Sequence, residues 1–263
     1  MNLFIDFGGT HFRYCFDDGD TITLKSEDVE LVKFIEIQIS LKNINKVFIS
    51  FAGQVKDGKI LSAPNIKIET LDINKYFEEK YNIEVLIEND LNCAAIYEYS
   101  KYKNAQVLAV FYIGTGFGSA FVIDGKVLKG KDNIAAEVGH IPFKKKPYRC
   151  NCGRDDCLEL SVSGKVFGEN SFENSDEDTK KDFLDGLKHI FHTTLNLFDP
   201  DVIILGGGVV KHNPFILDFL KNEYNNSSFK TIRSDLKIFI SDVEDANIKG
   251  LQILSKGEKC QVL

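Results

Sequence analysis

The first third of the chain alternates short apolar runs with turn chemistry. Residues 2–7 and 12–16 are rich in β-forming side chains. They stop at Gly8-Gly9-Thr10 and at Asp17-Asp18-Gly19-Asp20, the pattern of a hairpin. Residues 21–24 extend it by a third strand. Over 28–41 the period changes, with Leu31, Ile35 and Ile39 at helical spacing. A buried strand is predicted over 45–51, and a loop or hairpin over 53–64 with Asp57-Gly58 at its turn. An amphipathic helix follows over 73–81, then a strand over 84–87 that leads into Asn89-Asp90, and a helix over 91–101.

The pattern then restarts. Residues 107–113 form a strand, Gly114-Thr115-Gly116 a loop, 119–123 a second strand and Asp124-Gly125 a turn. This echo of residues 2–20 points to a duplicated fold. Residues 130–160 read as irregular and 173–178 as a polar linker. The strongest helix covers 180–198, with Phe183, Leu187, Phe191 and Leu195 on one face, and stops before Pro200. A buried strand over 202–205 enters Gly206-Gly207-Gly208. The order predicts an α/β chain of two lobes. Residues 1–102 form the first lobe, closed by a C-terminal helix over 246–263, and 103–245 form the second.

Composition narrows the classes. The chain has 263 residues, 43% hydrophobic and 27% charged, and is long enough to bury a core without staples. A net charge of −7 argues against nucleic acid as partner, because phosphate neutralisation needs a basic face. The basic run Lys144-Lys145-Lys146 reads as a solvated loop. The N-terminus lacks a basic n-region, and no apolar stretch reaches the roughly 18–20 residues of a membrane span. The expectation is a cytoplasmic protein with no membrane partner. Of its six cysteines, Cys15, Cys93 and Cys260 are isolated and read as small buried hydrophobes.

Five segments carry candidate chemistry. In Asp6-Phe7-Gly8-Gly9-Thr10, with Arg13 beyond, a strand ends in a carboxylate and then in glycines whose backbone N–H groups can approach phosphate oxygens. Asp6 can hold hydrated Mg²⁺. A plain Gly-Gly hairpin turn would read the same way, but Gly114-Thr115-Gly116-Phe117-Gly118 repeats the logic at the matching place. Each loop is followed by a hairpin, so neither is a Walker or Rossmann loop. Gly207 and Gly208, after the 202–205 strand, offer bare backbone to a nucleobase or ribose, or simply a tight turn. Glu88-Asn89-Asp90 at a strand end supplies a carboxylate, Asp90, that can accept a hydroxyl proton. It also supplies two side chains suited to capping the next helix. Glu137-Val138-Gly139-His140 followed by Cys150, Cys152 and Cys157 gives a tetrahedral set of three sulfurs and one nitrogen. That set suits Zn²⁺, with all four positions filled and hence a structural role.

Together these residues resemble the ROK family (repressors, open reading frames and sugar kinases). The resemblance runs from Asn2 to about Leu254. Its most specific part is Glu137 to His140 followed by Cys-x-Cys-Gly-x₃-Cys-Leu-Glu, here Cys150 to Glu159. It implies a two-lobed actin-like ATPase (ribonuclease H-like) fold with duplicated halves that closes over ATP and sugar, usually as dimers or tetramers, with a homodimer expected here. It implies Asp90 as general base, and Asn65, Asn89, Glu137, His140 and Glu159 as ligands of sugar hydroxyls, His140 also holding the zinc. It places ATP on Gly8, Gly9, Thr10, Arg13, Gly114, Thr115, Gly116, Gly207 and Gly208. The expected activity is phosphoryl transfer to a hexose hydroxyl, the 6-hydroxyl first, with an N-acetylhexosamine or fructose as alternative acceptor. Ala136, Ser119-Ala120 and Asp156 depart from the family pattern, where glycine is usual. A sugar-sensing regulator of the same family is the competing reading. Such regulators carry an N-terminal winged helix, and the chain as given begins at the first glycine-loop strand.

Overall fold

The structure is a computed structural model that describes residues 1–17, 19–62, 72–168, 171–227 and 235–257, together with the backbone of 261–262. It divides into two compact units. One comprises Met1–Tyr97, Lys129–Ala135 and Asp245–Val262; the other comprises Glu98–Leu128 and Ala136–Glu244. The first boundary falls inside a helix, at Tyr97–Glu98 and not after 102, and a short excursion, Lys129–Ala135, returns to the first unit, as does Asp245–Val262.

In the first unit β1 (Asn2–Phe7), β2 (His11–Phe16), β3 (Ile22–Lys25), β4 (Lys46–Phe51) and β7 (Glu84–Asn89) form a sheet in the order β3-β2-β1-β4-β7. The β1–β2 and β2–β3 pairings are antiparallel, and β1–β4 and β4–β7 are parallel. Alternation along β1 separates two cores. Leu3, Ile5 and Phe7 cluster with Leu31 and Ile35 of α1 (Leu31–Leu41) and with Phe77 of α2 (Ile73–Tyr81). Phe4 turns to the other face and packs with Phe48, Cys93 of α3 (Asp90–Lys101), and Ile248 and Leu251 of α7 (Ala246–Ser255). Strands covered on both faces read as near-continuous apolar runs, and β1 and β4 are buried along almost their whole length. Residues 53–64 resolve, as far as Ser62, into a hairpin of β5 (Gln54–Lys56) and β6 (Lys59–Ser62).

The second unit repeats the plan. Its strands β8 (Val107–Ile113), β9 (Phe117–Ile123), β10 (Lys126–Val127), β11 (Val202–Gly206) and β12 (Lys237–Ile240) run in the order β12-β11-β8-β9-β10. As in the first unit, an opening strand has its hairpin partner on one side and parallel strands on the other. α4 (Glu177–Phe198) starts before the predicted 180 because Asp176 caps it, accepting a hydrogen bond from the Thr179 N–H. It ends with Asp199 in the left-handed region, ahead of Pro200. β9 begins at Phe117 rather than 119, so the second glycine loop is tighter than expected. Beyond Gly207 lie α5 (Gly208–His212) and α6 (Phe215–Asn225). No described helix is long and apolar enough to cross a membrane.

Gly250 sets the seat of α7. A Cβ built there would lie 1.9 Å from the Cys93 carbonyl oxygen of α3, a backbone atom that cannot step aside. Gly250→Ala is therefore expected to destabilise the protein by about 3 kcal/mol through overpacking, read as a lower midpoint in chemical denaturation. An unchanged midpoint would show that α7 does not seat against α3 this closely.

Candidate active site

In the first unit the site begins with Asp6. β1 and β4 run parallel with Asp6 opposite Ser50, and β1 pairs with β2 so that Asp6 faces Arg13. Asp6 lies on the same face as Phe4, toward α7. Its Oδ1 accepts hydrogen bonds from Ser50 Oγ at 2.8 Å and Asn247 Nδ2 at 2.9 Å, and its Oδ2 lies 3.3 Å from Arg13 Nη1. Burial pushes the Asp6 pKa up, opposed by the donors Asn247 and Ser50 and by the Arg13 charge. The glycine loop is held from beneath by Ser26, whose hydroxyl donates to the Gly8 carbonyl and whose N–H donates to the Thr10 carbonyl. Gly9 and Thr10 are exposed.

At the end of β7 the choice between cap and base divides between neighbours. Asn89 Oδ1 accepts from the N–H groups of Leu91 and Asn92 and so caps α3, while its Nδ2 donates to the Gly53 carbonyl. Asp90, half-buried, accepts from the Leu91 N–H alongside. Having its Oδ1 in the cap, Asn89 keeps one amide N–H for a ligand. Glu88, which sequence reading had not assigned, fixes this strand end. Its Oε1 accepts from the Asn89 N–H and Asn92 Nδ2, and its Oε2 is paired with Lys129. Asn133 reaches the same region through Asn92 and the Val55 carbonyl. These contacts explain why Lys129–Ala135 belongs to the first unit. Asn65 lies outside the described residues.

The second unit brings four segments together at the ends of β8 and β11. In the 114–118 loop the Gly114 N–H bonds the Gly116 carbonyl at 2.9 Å. Glu159, on the 3-10 turn Leu158–Leu160, lies against this loop: a Cβ on Gly116 would be 2.5 Å from Glu159 Oε1. Gly139, on the 3-10 turn Val138–His140, lies against the Phe117 carbonyl, and the Gly164 N–H donates to the Gly114 carbonyl. Gly207, at φ +88°, passes so close to β8 that a Cβ would lie 2.4 Å from the Ile113 carbonyl. The two glycine segments expected to meet nucleotide thus stand side by side, with Glu159 beside one of them.

His140, Cys150, Cys152 and Cys157 form the candidate metal centre, their ligand atoms all within 4.8 Å of one another. Cys152 Sγ lies 3.3 Å from Cys157 Sγ, and Cys150 Sγ 3.4 Å from His140 Nδ1. Both edges are a few tenths of an ångström shorter than the roughly 3.5–3.8 Å of a tetrahedron with metal–ligand bonds of about 2.0–2.3 Å. Residues 141–143 run beside 156–158 through the Phe143–Asp156 and Leu158–Ile141 backbone bonds. Arg154 bridges Asp156 and the His140 carbonyl. Burial pushes the Cys157 thiol up to about 11 and raises Cys150 further, so metal uptake must displace protons. Nδ1 of His140 faces the sulfurs, which leaves Nε2 as the nitrogen directed elsewhere. Glu137 precedes His140 on the same turn and is half-buried.

Ser119 and Ala136 meet beside Glu137. Ala136 adopts φ +73°, a region costly for a residue with a Cβ, and its carbonyl accepts the Ser119 hydroxyl at 2.5 Å. Ser119 also receives the Val138 N–H. The Ser119 hydroxyl of β9 thus braces the strained residue just ahead of Glu137.

The ROK family model matches residues 3–256. The chain is similar to an uncharacterized protein of Clostridium perfringens, 29% identical over 95% of this chain and 96% of that one. It is also similar to the xylose repressor of Caldicellulosiruptor bescii, 27% identical over 72% of this chain but only 56% of the repressor. The N-acetylmannosamine kinase of Vibrio cholerae is 27% identical over 79% of this chain and 83% of the kinase. In structure it is similar to a ROK family glucokinase from Streptomyces griseus solved with glucose and AMPPNP, with a TM-score of 0.76 at 23% identity over 97% of this chain and 99% of that one.

Two predictions follow from this geometry. Cys152→Ser is expected to remove most of the bound zinc, measured by metal analysis of the purified protein, and to lower its melting temperature. Unchanged metal content would dissolve the assignment of these ligands. Ala136→Gly relieves a positive φ at some cost in unfolded-state entropy and should stabilise the protein by about 0.5–1 kcal/mol, seen as a raised denaturation midpoint. A lowered midpoint would mean that Ala136 is not strained.

Proposed function

The chain belongs to the ROK family, and from that premise we propose that it is an ATP-dependent sugar kinase, transferring the γ-phosphate to a hexose hydroxyl in the cytoplasm. The observation that carries this reading is the meeting, within one unit, of Glu159 with the 114–118 glycine loop and of Gly207 with β8. A carboxylate suited to sugar hydroxyls stands beside backbone suited to phosphates, which is what phosphoryl transfer requires, since its catalysis is mainly positioning and charge stabilisation.

In this reading Gly8, Gly9, Thr10, Arg13, Gly114, Thr115, Gly116, Gly207 and Gly208 are the residues that contact ATP. Both Asp6 oxygens already accept protein donors, so Asp6 would meet Mg²⁺ through the ion's water, and Mg²⁺ when bound neutralises phosphate charge. Glu137, Glu159, the Nε2 side of His140, Asn89 and Asn65 are the residues that bind sugar hydroxyls. The carboxylate of Asp90 takes the proton of the attacking hydroxyl as the phosphoryl group passes in line to that oxygen and ADP leaves. His140 and the three cysteines would hold zinc, which when bound would supply a fixed orientation for the imidazole and the loop. The 6-hydroxyl of a hexose is the first acceptor to consider, with N-acetylhexosamines and fructose next.

The test is coupled ADP release with Mg-ATP across a panel of hexoses and N-acetylhexosamines, for wild type and Asp90→Asn. Turnover on one sugar, lowered about 10²–10⁴-fold in the variant with zinc content unchanged, is the expected result. Comparable turnover in the variant would remove Asp90 from the role of base. No turnover by the wild type on any sugar, with sugar still bound, would favour the sensing function of the xylose-repressor relatives.

A further inference from the structure

Glu98, near the end of α3, is a carboxylate with a fully buried side chain, and the phosphoryl-transfer reading gives it no part. Glu98 and Lys101 lie on the portion of α3 that belongs to the second unit. Burying a carboxylate costs stability unless its charge is compensated. Here Lys101 Nζ lies 2.6 Å from Glu98 Oε2 and 2.7 Å from Asp242 Oδ1. The other oxygen, Oε1, accepts from the hydroxyls of Ser241 at 2.5 Å and Tyr112 at 3.4 Å, and the Tyr112 hydroxyl is shared with Ser241 Oγ at 3.3 Å.

These two hydroxyls come from opposite sides of β11, which lies between β12 and β8. Tyr112 of β8 stands opposite Gly206. On the other side Ile240 of β12 stands opposite Leu205, so that Ser241 comes level with Gly206, and the Ser241 N–H donates to the Leu205 carbonyl at 2.7 Å. The Tyr112 ring crosses β11 in the space left by the missing side chain of Gly206: three ring atoms lie within 2.7 Å of the place a Cβ would take. Glu98 thus grips both neighbours of β11 at the level of its last residue. Gly207 comes next, at φ +88°, and brings no side chain with which to anchor the turn.

We propose that Glu98 is a positioning residue for the nucleotide: through Tyr112 and Ser241 it sets the Gly206-Gly207 turn in the conformation that receives ATP. The inference rests on the reading in which Gly207 and Gly208 contact ATP. A glycine turn has more conformational freedom to lose than any other, and fixing it beforehand removes that cost from binding. Apolar packing stabilises a strand end as well as a buried ion pair does. What the carboxylate adds is direction, a single acceptor that both hydroxyls must face.

The experiment is calorimetric titration of the full chain with AMPPNP and Mg²⁺, for wild type, Tyr112→Phe, Glu98→Gln, Glu98→Ala and the double variant Tyr112→Phe/Glu98→Ala. Each is measured at a temperature where circular dichroism shows it folded. Tyr112→Phe removes one hydroxyl and leaves the ring under Gly206. It is expected to weaken AMPPNP about three- to tenfold. Glu98→Ala should weaken it at least as much, and Glu98→Gln, which keeps an oxygen acceptor, should recover part of the loss. The double variant should bind within about twofold of Glu98→Ala, because both groups act through one turn. Unchanged AMPPNP affinity in Tyr112→Phe and Glu98→Ala overturns the proposal even if their melting temperatures fall, since the network would then brace the fold alone. Losses that add in full in the double variant overturn it too. Should Glu98→Ala not fold, Tyr112→Phe and Glu98→Gln decide the matter. The two readings fail separately. A wild type that phosphorylates sugar, with variants that keep their AMPPNP affinity, leaves the kinase and removes the positioning role. AMPPNP binding that the variants lose, with no sugar phosphorylated by the wild type, leaves the positioning role and removes the kinase. A wild type that does not bind AMPPNP removes both.

Discussion

The segment from Ala136 to Gly168 carries Glu137, His140 and Glu159, yet its backbone forms only single 3-10 turns and one isolated bridge. A stretch with so few ladder hydrogen bonds cannot hold side chains to a fraction of an ångström by its own conformation. The constraint that replaces a ladder is the four-ligand cluster, which ties His140 to residues 150–157 and closes the loop between them. α4 then anchors the loop from outside through Asp182 and Asp185. Once Cys157 is fixed, Leu158 is buried and Glu159 is delivered to Gly116. A metal held by these four side chains would therefore fix the positions of Glu137 and Glu159 more than any single packing contact does.

Around that constraint the two units use one strand order for different ends. Each opens with a strand, a glycine loop and an antiparallel return. In the first unit the residue six from the start of the chain is a carboxylate, opposed on β4 by Ser50. At the matching place in the second unit Tyr112 stands opposite Gly206, and its ring occupies the space a side chain on Gly206 would need. The first copy keeps a charge that can act on a hydrated cation. The second has traded it for close backbone approach between β8 and the Gly206-Gly207 turn.

Much of this was legible in the sequence, where one period dominates. Alternation marked β1 and β2, spacing marked α4, and the glycine loops marked the repeat. The Cys-x-Cys and Cys-Leu-Glu spacing identified the cluster because ligands close in sequence are close in space whatever the fold. What escaped was set by long-range contact. Glu88 looks like an ordinary strand residue, and only the return of Lys129–Ala135 gives it a partner. Asn89 and Asp90 are equally good caps by type, and which one caps α3 is decided by side-chain direction at the strand end. Ile216, Leu220 and Tyr224 do recur at helical spacing and are buried. The run is short and follows Pro214 and Asn213, so its signal is weaker than that of α4. The strain at Ala136 is invisible without φ, and its brace, Ser119, lies seventeen residues away in sequence.

The most direct test of this account is hydrogen exchange of the full chain, followed by mass spectrometry of peptides, with zinc bound and after its removal by a chelator. The account predicts that zinc-free protein loses amide protection across residues 137–168 while β1, β4, β8 and β11 keep theirs. Unchanged protection over 137–168 would contradict it, and would mean that packing alone holds Glu137, His140 and Glu159 in place.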